Sequence, residues 1–253
     1  MLRCFFLGLV TAIHLGLSAA GARAGDGAAL NVLGFSDDGR YFAFEQYGTQ
    51  DGSAFPFAEI ALVDTQAATS HDRPFMVIRE VIQSENAGQE TVRANVLARA
   101  RPHLAAMKIQ RQGMVVAIDP VARPFEALLP MDVPVVRRLE ASELRLSDPT
   151  RGGALVLGLK QWKMSSPHCS TVAPGETWAF AVTVSKDGSP ARDIHVDAEL
   201  PDARRCPHTY GLVGAYMQAR KSGGAVIAVV VSYYPVGFEG LDRRFLVVTA
   251  DLK

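Results

Sequence analysis

Seven consecutive apolar residues, Ala225 to Val231, run without a polar break. A strand wetted on one side alternates polar with apolar residues, so this run predicts a central strand covered on both faces. Other short stretches fit strands around it: Leu30–Ser36, Arg40–Tyr47, Ala58–Asp64 and Met114–Ile118. Beyond Val135 come Glu143–Ser147, Ala154–Lys163, Trp178–Ser185, Asp193–Leu200, Tyr210–Arg220 and Phe245–Asp251. Turn clusters such as Asp37-Asp38-Gly39, Lys186-Asp187-Gly188 and Lys221-Ser222-Gly223-Gly224 separate them. Short strands with regular Gly/Asp turns predict a mainly β fold of sandwich, barrel or propeller-like sheets.

One segment breaks this pattern. From about residue 89 to 112, Val92, Val96, Ala100, Leu104 and Met107 recur at three- and four-residue steps. That is a helical stripe, narrow and free of aromatics, suited to covering one side of a sheet. Pro102 lies inside it and predicts a kink or a break. Arg123 to Pro134 is interrupted by proline and reads as irregular. The expected organisation is one mainly β domain over residues 25–253, with a division near residue 134 as the alternative.

Residues 1–24 read as a secretory signal peptide. Arg3 supplies the positive start, Cys4 to Leu17 the short apolar stretch, and Ala22-Arg23-Ala24 the small-x-small cleavage site. No later apolar run reaches the ~20 residues of a membrane-spanning helix, so no transmembrane anchor is expected once the leader is gone. Removing it takes Arg3 and Arg23 and no acid, leaving 24 basic against 26 acidic side chains, a net charge of −2. Such a balance offers nucleic acid no basic field.

Cys169 and Cys206 remain after cleavage. Two thiols in an exported chain are expected to form a disulfide. The competing reading is a zinc site with two Cys and two His, because His168 and His208 flank the pair.

Two loops stand out for ligand contact. The first contains Glu45, Tyr47, Asp51 and Phe55; the second contains Phe238, Glu239, Asp242 and Arg244. Both combine aromatics, acids and glycines between strands, where binding residues tend to lie. The bland alternative pairs Glu239 or Asp242 with Arg243 or Arg244 and uses the aromatics as core caps. A row of Asp193, His195, Asp197 and Glu199 shares one face of a period-two strand, opposite Ile194, Val196, Ala198 and Leu200. It suits metal ligation or base chemistry, or simply a solvated sheet face. Nucleophile elbows, phosphate loops and His-Glu-x-x-His helices are absent from the sequence, and no cofactor is called for.

Three stretches carry a family resemblance. They are Gly34-Phe35-Ser36-Asp37-Asp38-Gly39-Arg40-Tyr41-Phe42-Ala43-Phe44-Glu45 with its continuation to Pro56, then Arg205-Cys206-Pro207-x-x-Tyr210, then Gly237-Phe238-Glu239-Gly240-x-Asp242-x-Arg244-Phe245. The chain resembles an uncharacterised bacterial family of predicted secreted proteins, domain of unknown function 2259. The resemblance implies export in a Gram-negative bacterium, to the periplasm or beyond, and implies no activity. The first stretch alone is similar to one blade repeat of Tol-type propellers; it occurs once, so only its local hairpin carries over. The leading expectation is a non-catalytic binding or interaction module for an envelope protein or small ligand. The alternatives are a metal-dependent or hydrolytic enzyme, and an assembly factor using an exposed strand edge.

Overall fold

The computed structural model describes residues 25–67, 74–111, 114–118, 141–147, 152–173, 175–221, 223–238 and 240–252. The signal-peptide reading of residues 1–24, the irregular stretch around residue 134 and Glu239 fall outside them.

Three antiparallel sheets and one helix make up the described chain. Sheet I contains β1 (Ala29–Ser36), β2 (Tyr41–Thr49), β3 (Pro56–Asp64), β4 (Met76–Val81) and β5 (Ile109–Arg111), in the order β4-β3-β2-β1-β5. Sheet II contains β7 (Ala141–Ser147), β8 (Ala154–Lys163), β9 (Trp178–Lys186) and β10 (Arg192–Val196), in the order β10-β9-β8-β7. Sheet III contains β6 (Met114–Ile118), β11 (Pro207–Ala219), β12 (Ala225–Pro235) and β13 (Arg244–Leu252), in the order β13-β12-β11-β6.

Sheet III lies between the other two, and β12 shows why. Its even-numbered residues Val226, Ala228 and Val230 join Phe35, Phe42, Phe44 and Phe57 of sheet I in one apolar layer. Its odd-numbered residues Ile227, Val229 and Val231 join Leu155, Leu157, Phe180 and Val182 of sheet II in another. Both faces are dry, so the strand needs no polar alternation, as the run of Ala225 to Val231 predicts.

Helix α1 (Gln89–Ala106) covers the outer face of sheet I. Val92, Val96 and Ala100 are fully buried against Ala58, Ile60 and Leu62, with Leu104 and Met107 packed alongside. The helix runs through Pro102 without a break. Proline leaves the Ala98 carbonyl without its helical donor, and Ala98 is exposed, so that carbonyl can turn to solvent. The helical insert ends earlier than residue 112, because Ile109–Arg111 returns as β5 beside β1.

A buried ion pair pins the helix to the sheet. Glu45 on β2 accepts from Arg93 Nε and Nη2, each at 2.9 Å, and from Asn31 Nδ2 at 2.9 Å. The Arg93 guanidinium also lies 3.8 Å over the Tyr47 ring. Hydrogen bonding to Glu45 holds the Arg93 guanidinium more firmly protonated than usual. Arg93→Met would leave the buried Glu45 carboxylate without its countercharge, with Asn31 as its remaining donor. We expect it to cost about 3 kcal/mol in urea unfolding, and Arg93→Met with Glu45→Leu to recover most of that; a single-variant loss below about 0.5 kcal/mol would refute the assignment.

The β1–β2 turn follows the sequence expectation. Gly39 takes φ +70° and donates to the Ser36 carbonyl at 2.9 Å, while Asp38 Oδ1 accepts from Ser36 Oγ and the Arg40 amide. The Ser36 hydrogen bond, chief among these, holds the Asp38 carboxyl below its ordinary value.

Candidate functional site

The loops after β2 and β12 come together at one end of the molecule. The segment leading into β1, residues 26–28, is their link. Arg243 N–H donates to the Asp26 carbonyl at 2.9 Å, and Ala28 N–H donates to the Arg243 carbonyl at 3.2 Å. Asp26 Oδ2 accepts from Arg244 Nη2 at 2.7 Å, and Asp26 Oδ1 accepts from the Asp51 amide. Asp242 Oδ1 takes the Asp26 amide at 2.9 Å, and Asp242 Oδ2 takes Arg205 Nη2. Phe238, 81% exposed, stands over Gly52 of the other loop. Gly237 is required here by space alone: a Cβ would lie 2.3 Å from Asp242 Oδ1 and 2.8 Å from the Gly240 carbonyl.

This rim gathers Asp51, Phe238, Asp242 and Arg244 from the sequence candidates. Asp242 is buried and Arg244 nearly so, both held by ionic hydrogen bonds; the bland reading of an Asp242–Arg244 pair is met only loosely, at 3.7 Å. Glu45 and Tyr47 lie elsewhere. Strand alternation turns them to the face under α1, whereas Phe44 and Gln46 face sheet III. Phe55 closes its own loop, its carbonyl accepting from Gln50 N–H at 2.8 Å.

Below the rim a cleft of about 410 Å3 opens between sheet I and β13. Its walls include Phe44, Phe57, Val63, Phe245 and Val247, and its polar lining includes Asp26, Gln46, Gln50, Glu59, Tyr233 and the arginines Arg79, Arg204, Arg205 and Arg244. The sequence reading missed Asp26, Arg79, Arg204 and Arg205. Arg205 carried one available signal, its place in the Arg205-Cys206-Pro207 stretch.

Arg205 has φ 57° and ψ −132°, a backbone conformation that costs a side-chain-bearing residue about 1–3 kcal/mol. Several contacts hold it there. Its amide donates to the Asp202 carbonyl at 2.8 Å, and its carbonyl lies 3.1 Å from His168 Nε2. Next to it, Cys206 sits at disulfide distance from Cys169, with Cα atoms 5.6 Å apart. His168, Cys169 and Cys206 cluster within 4.8 Å, but His208 is not part of the group. The four-ligand zinc set is therefore not assembled. His208 Nε2 is instead buried without a hydrogen-bond partner among the described residues, and that burial pushes its pKa down.

The row on β10 is not one surface. A bulge between Asp193 and His195 shifts the alternation, and the strand ends at Val196. Asp193 and Glu199 stay exposed while His195 and Asp197 turn inward; Val196, expected inside, is 53% exposed. His195 stacks on Phe180 with centroids 4.4 Å apart, and its Nε2 lies 2.8 Å from Asp197 Oδ1. Arg204 grips both Asp197 oxygens at 2.7 Å and donates to Tyr210 Oη at 3.1 Å. This is a fork-shaped, doubly bonded pair of the strong kind. It backs the cleft through Arg204 and ties sheet II to sheet III.

No helix among the described residues is long and apolar enough to cross a membrane. No curated protein and no solved structure matches the chain. A family model described as "Predicted secreted protein (DUF2259)" matches residues 43–251, which include the rim loops, the Cys169–Cys206 pair and the Asp197–Arg204 cluster. The chain belongs to this family of predicted secreted proteins.

Proposed function

We propose that this protein is a periplasmic binding module, without catalytic activity, whose ligand or partner docks at the rim and cleft. The observation that carries the reading is the convergence of residues 50–55 with 236–238 and 240–243 over a cleft lined by both apolar and ionic groups. Loops on a rigid sheet frame suit recognition. The inward turn of His195 and Asp197, engaged with Arg204, favours binding over base chemistry there. A leader ending at Ala24 and two cysteines at disulfide distance fit an oxidising compartment.

Hydrogen exchange tests the reading. Purified protein is compared with and without an extract of its own envelope. Joint slowing of amides in 50–55 and 236–243, lost in Phe238→Asp, is the expected result. Slowing confined to other segments would overturn it, and stoichiometric zinc in protein taken from the periplasm would favour the metal-dependent alternative.

A further inference from the structure

We infer that the cleft between sheet I and β13 binds a small amphipathic acid, an apolar body ending in a carboxylate. The inference rests on the binding reading and names the chemistry of its ligand. Sites for small molecules are mostly apolar, a few hundred Å3 in volume, with a few placed polar groups. This cleft, at about 410 Å3, has that make-up. Phe44, Phe57, Val63, Phe245 and Val247 are all buried residues that supply apolar wall.

The polar groups decide the head. Both lining acids are already engaged as acceptors. Glu59 Oε1 takes Gln46 Nε2 at 2.9 Å, and the two Asp26 oxygens take Arg244 and the Asp51 amide. Two lining cations have donors to spare. Arg79, on β4, makes no hydrogen bond through its guanidinium among the described residues; its nearest carboxylate oxygen, Glu59 Oε2, is 4.0 Å away. Arg205 gives one nitrogen to Asp242 and keeps the others. Each of these two side chains is 49% exposed. The carboxylates that compensate Arg204 and Arg205, Asp197 and Asp242, do not line the cleft. An entering molecule meets the half-exposed guanidinium groups of Arg79 and Arg205, with the largely covered Arg244 and two engaged acids beside them, above an apolar wall. Guanidinium N–H pairs match the two oxygens of a carboxylate, so the head would sit at Arg79 and Arg205 with the chain below.

Calorimetric titration of the purified exported protein with decanoate, decanol and decylammonium tests this. One decanoate per chain is expected, held at least tenfold more tightly than either of the others. Lengthening the acid by one CH2 should tighten binding roughly fourfold while the chain still fits. Arg79→Gln should weaken decanoate at least tenfold and leave decanol unchanged, and Val77→Trp, at the exposed mouth, should weaken both. Equal binding of decanol and decanoate, or an Arg79→Gln variant that binds decanoate as the parent does, would overturn the inference. If no decyl compound binds while envelope extract still slows exchange at the two rim loops, the acid is refuted and the binding reading stands. If neither occurs, both fall.

Discussion

Asp197→Ala is expected to lower the free energy of unfolding by about 3–5 kcal/mol, because it removes the carboxylate that neutralises the buried Arg204 guanidinium. Arg204 is 2% exposed and Asp197 5%, so water cannot replace what is lost. The Phe180 amide, which donates to Asp197 Oδ2 at 2.9 Å, would lose its acceptor too. Replacing both charges with apolar residues, as Asp197→Leu with Arg204→Met, should recover most of the loss. Acid pH reaches the same cluster by another route. Burial alone would raise the Asp197 carboxyl, but hydrogen bonds from His195 and Arg204, the Arg204 charge and the Phe180 amide outweigh it, and the group titrates below its ordinary 3.8. A carboxyl lowered by folding contributes stability that is full above its unfolded value and lost as pH falls through its folded one. Stability measured between pH 5 and pH 2 should therefore fall less steeply in Asp197→Asn than in the parent. Identical slopes, or an alanine variant within about 0.5 kcal/mol of the parent, would remove the cluster from the list of stabilising features.

Loss of the Cys169–Cys206 link should have the next largest effect. Its 37-residue separation corresponds to roughly 3–4 kcal/mol in the chain-entropy account. Cys169→Ala with Cys206→Ala, or added reductant, should lower the urea midpoint accordingly. Arg205 makes the effect more than a loop-closure matter. Its strained backbone sits beside Cys206, so releasing the cysteine should let residues 202–206 relax and move the guanidinium away from Asp242. The expected signature is faster amide exchange at 202–206, with the sheet III strands unchanged. A midpoint indifferent to reductant would count against the bond.

Sequence alone carried the frame because periodicity reports burial directly. The unalternating Ala225–Val231 run and the Val92–Val96–Ala100 stripe each state which faces are dry, and the fold follows both. β4 was missed because Met76–Val81 is a half-exposed edge with weak alternation. The β10 row was misread for a different reason: a single bulge reverses inside and outside, and no residue in Asp193–Glu199 announces one. The site was the least legible part. Asp26, Arg79, Arg205 and Asp242 are scattered along the chain and gather at one end only because sheet I stacks on sheet III. The two loops could be nominated from composition, but not the arginines between them.

That stacking has a consequence for how the chain must assemble. The layer shared by Phe35, Phe42 and Phe57 is completed by Phe245 and Val247, which leave the ribosome some two hundred positions later. Until then the sheet I hairpins carry an oily, unclosed surface. Slow closure leaves such surfaces open to aggregation, so folding of this protein should depend on chaperones that shield early-emerging strands.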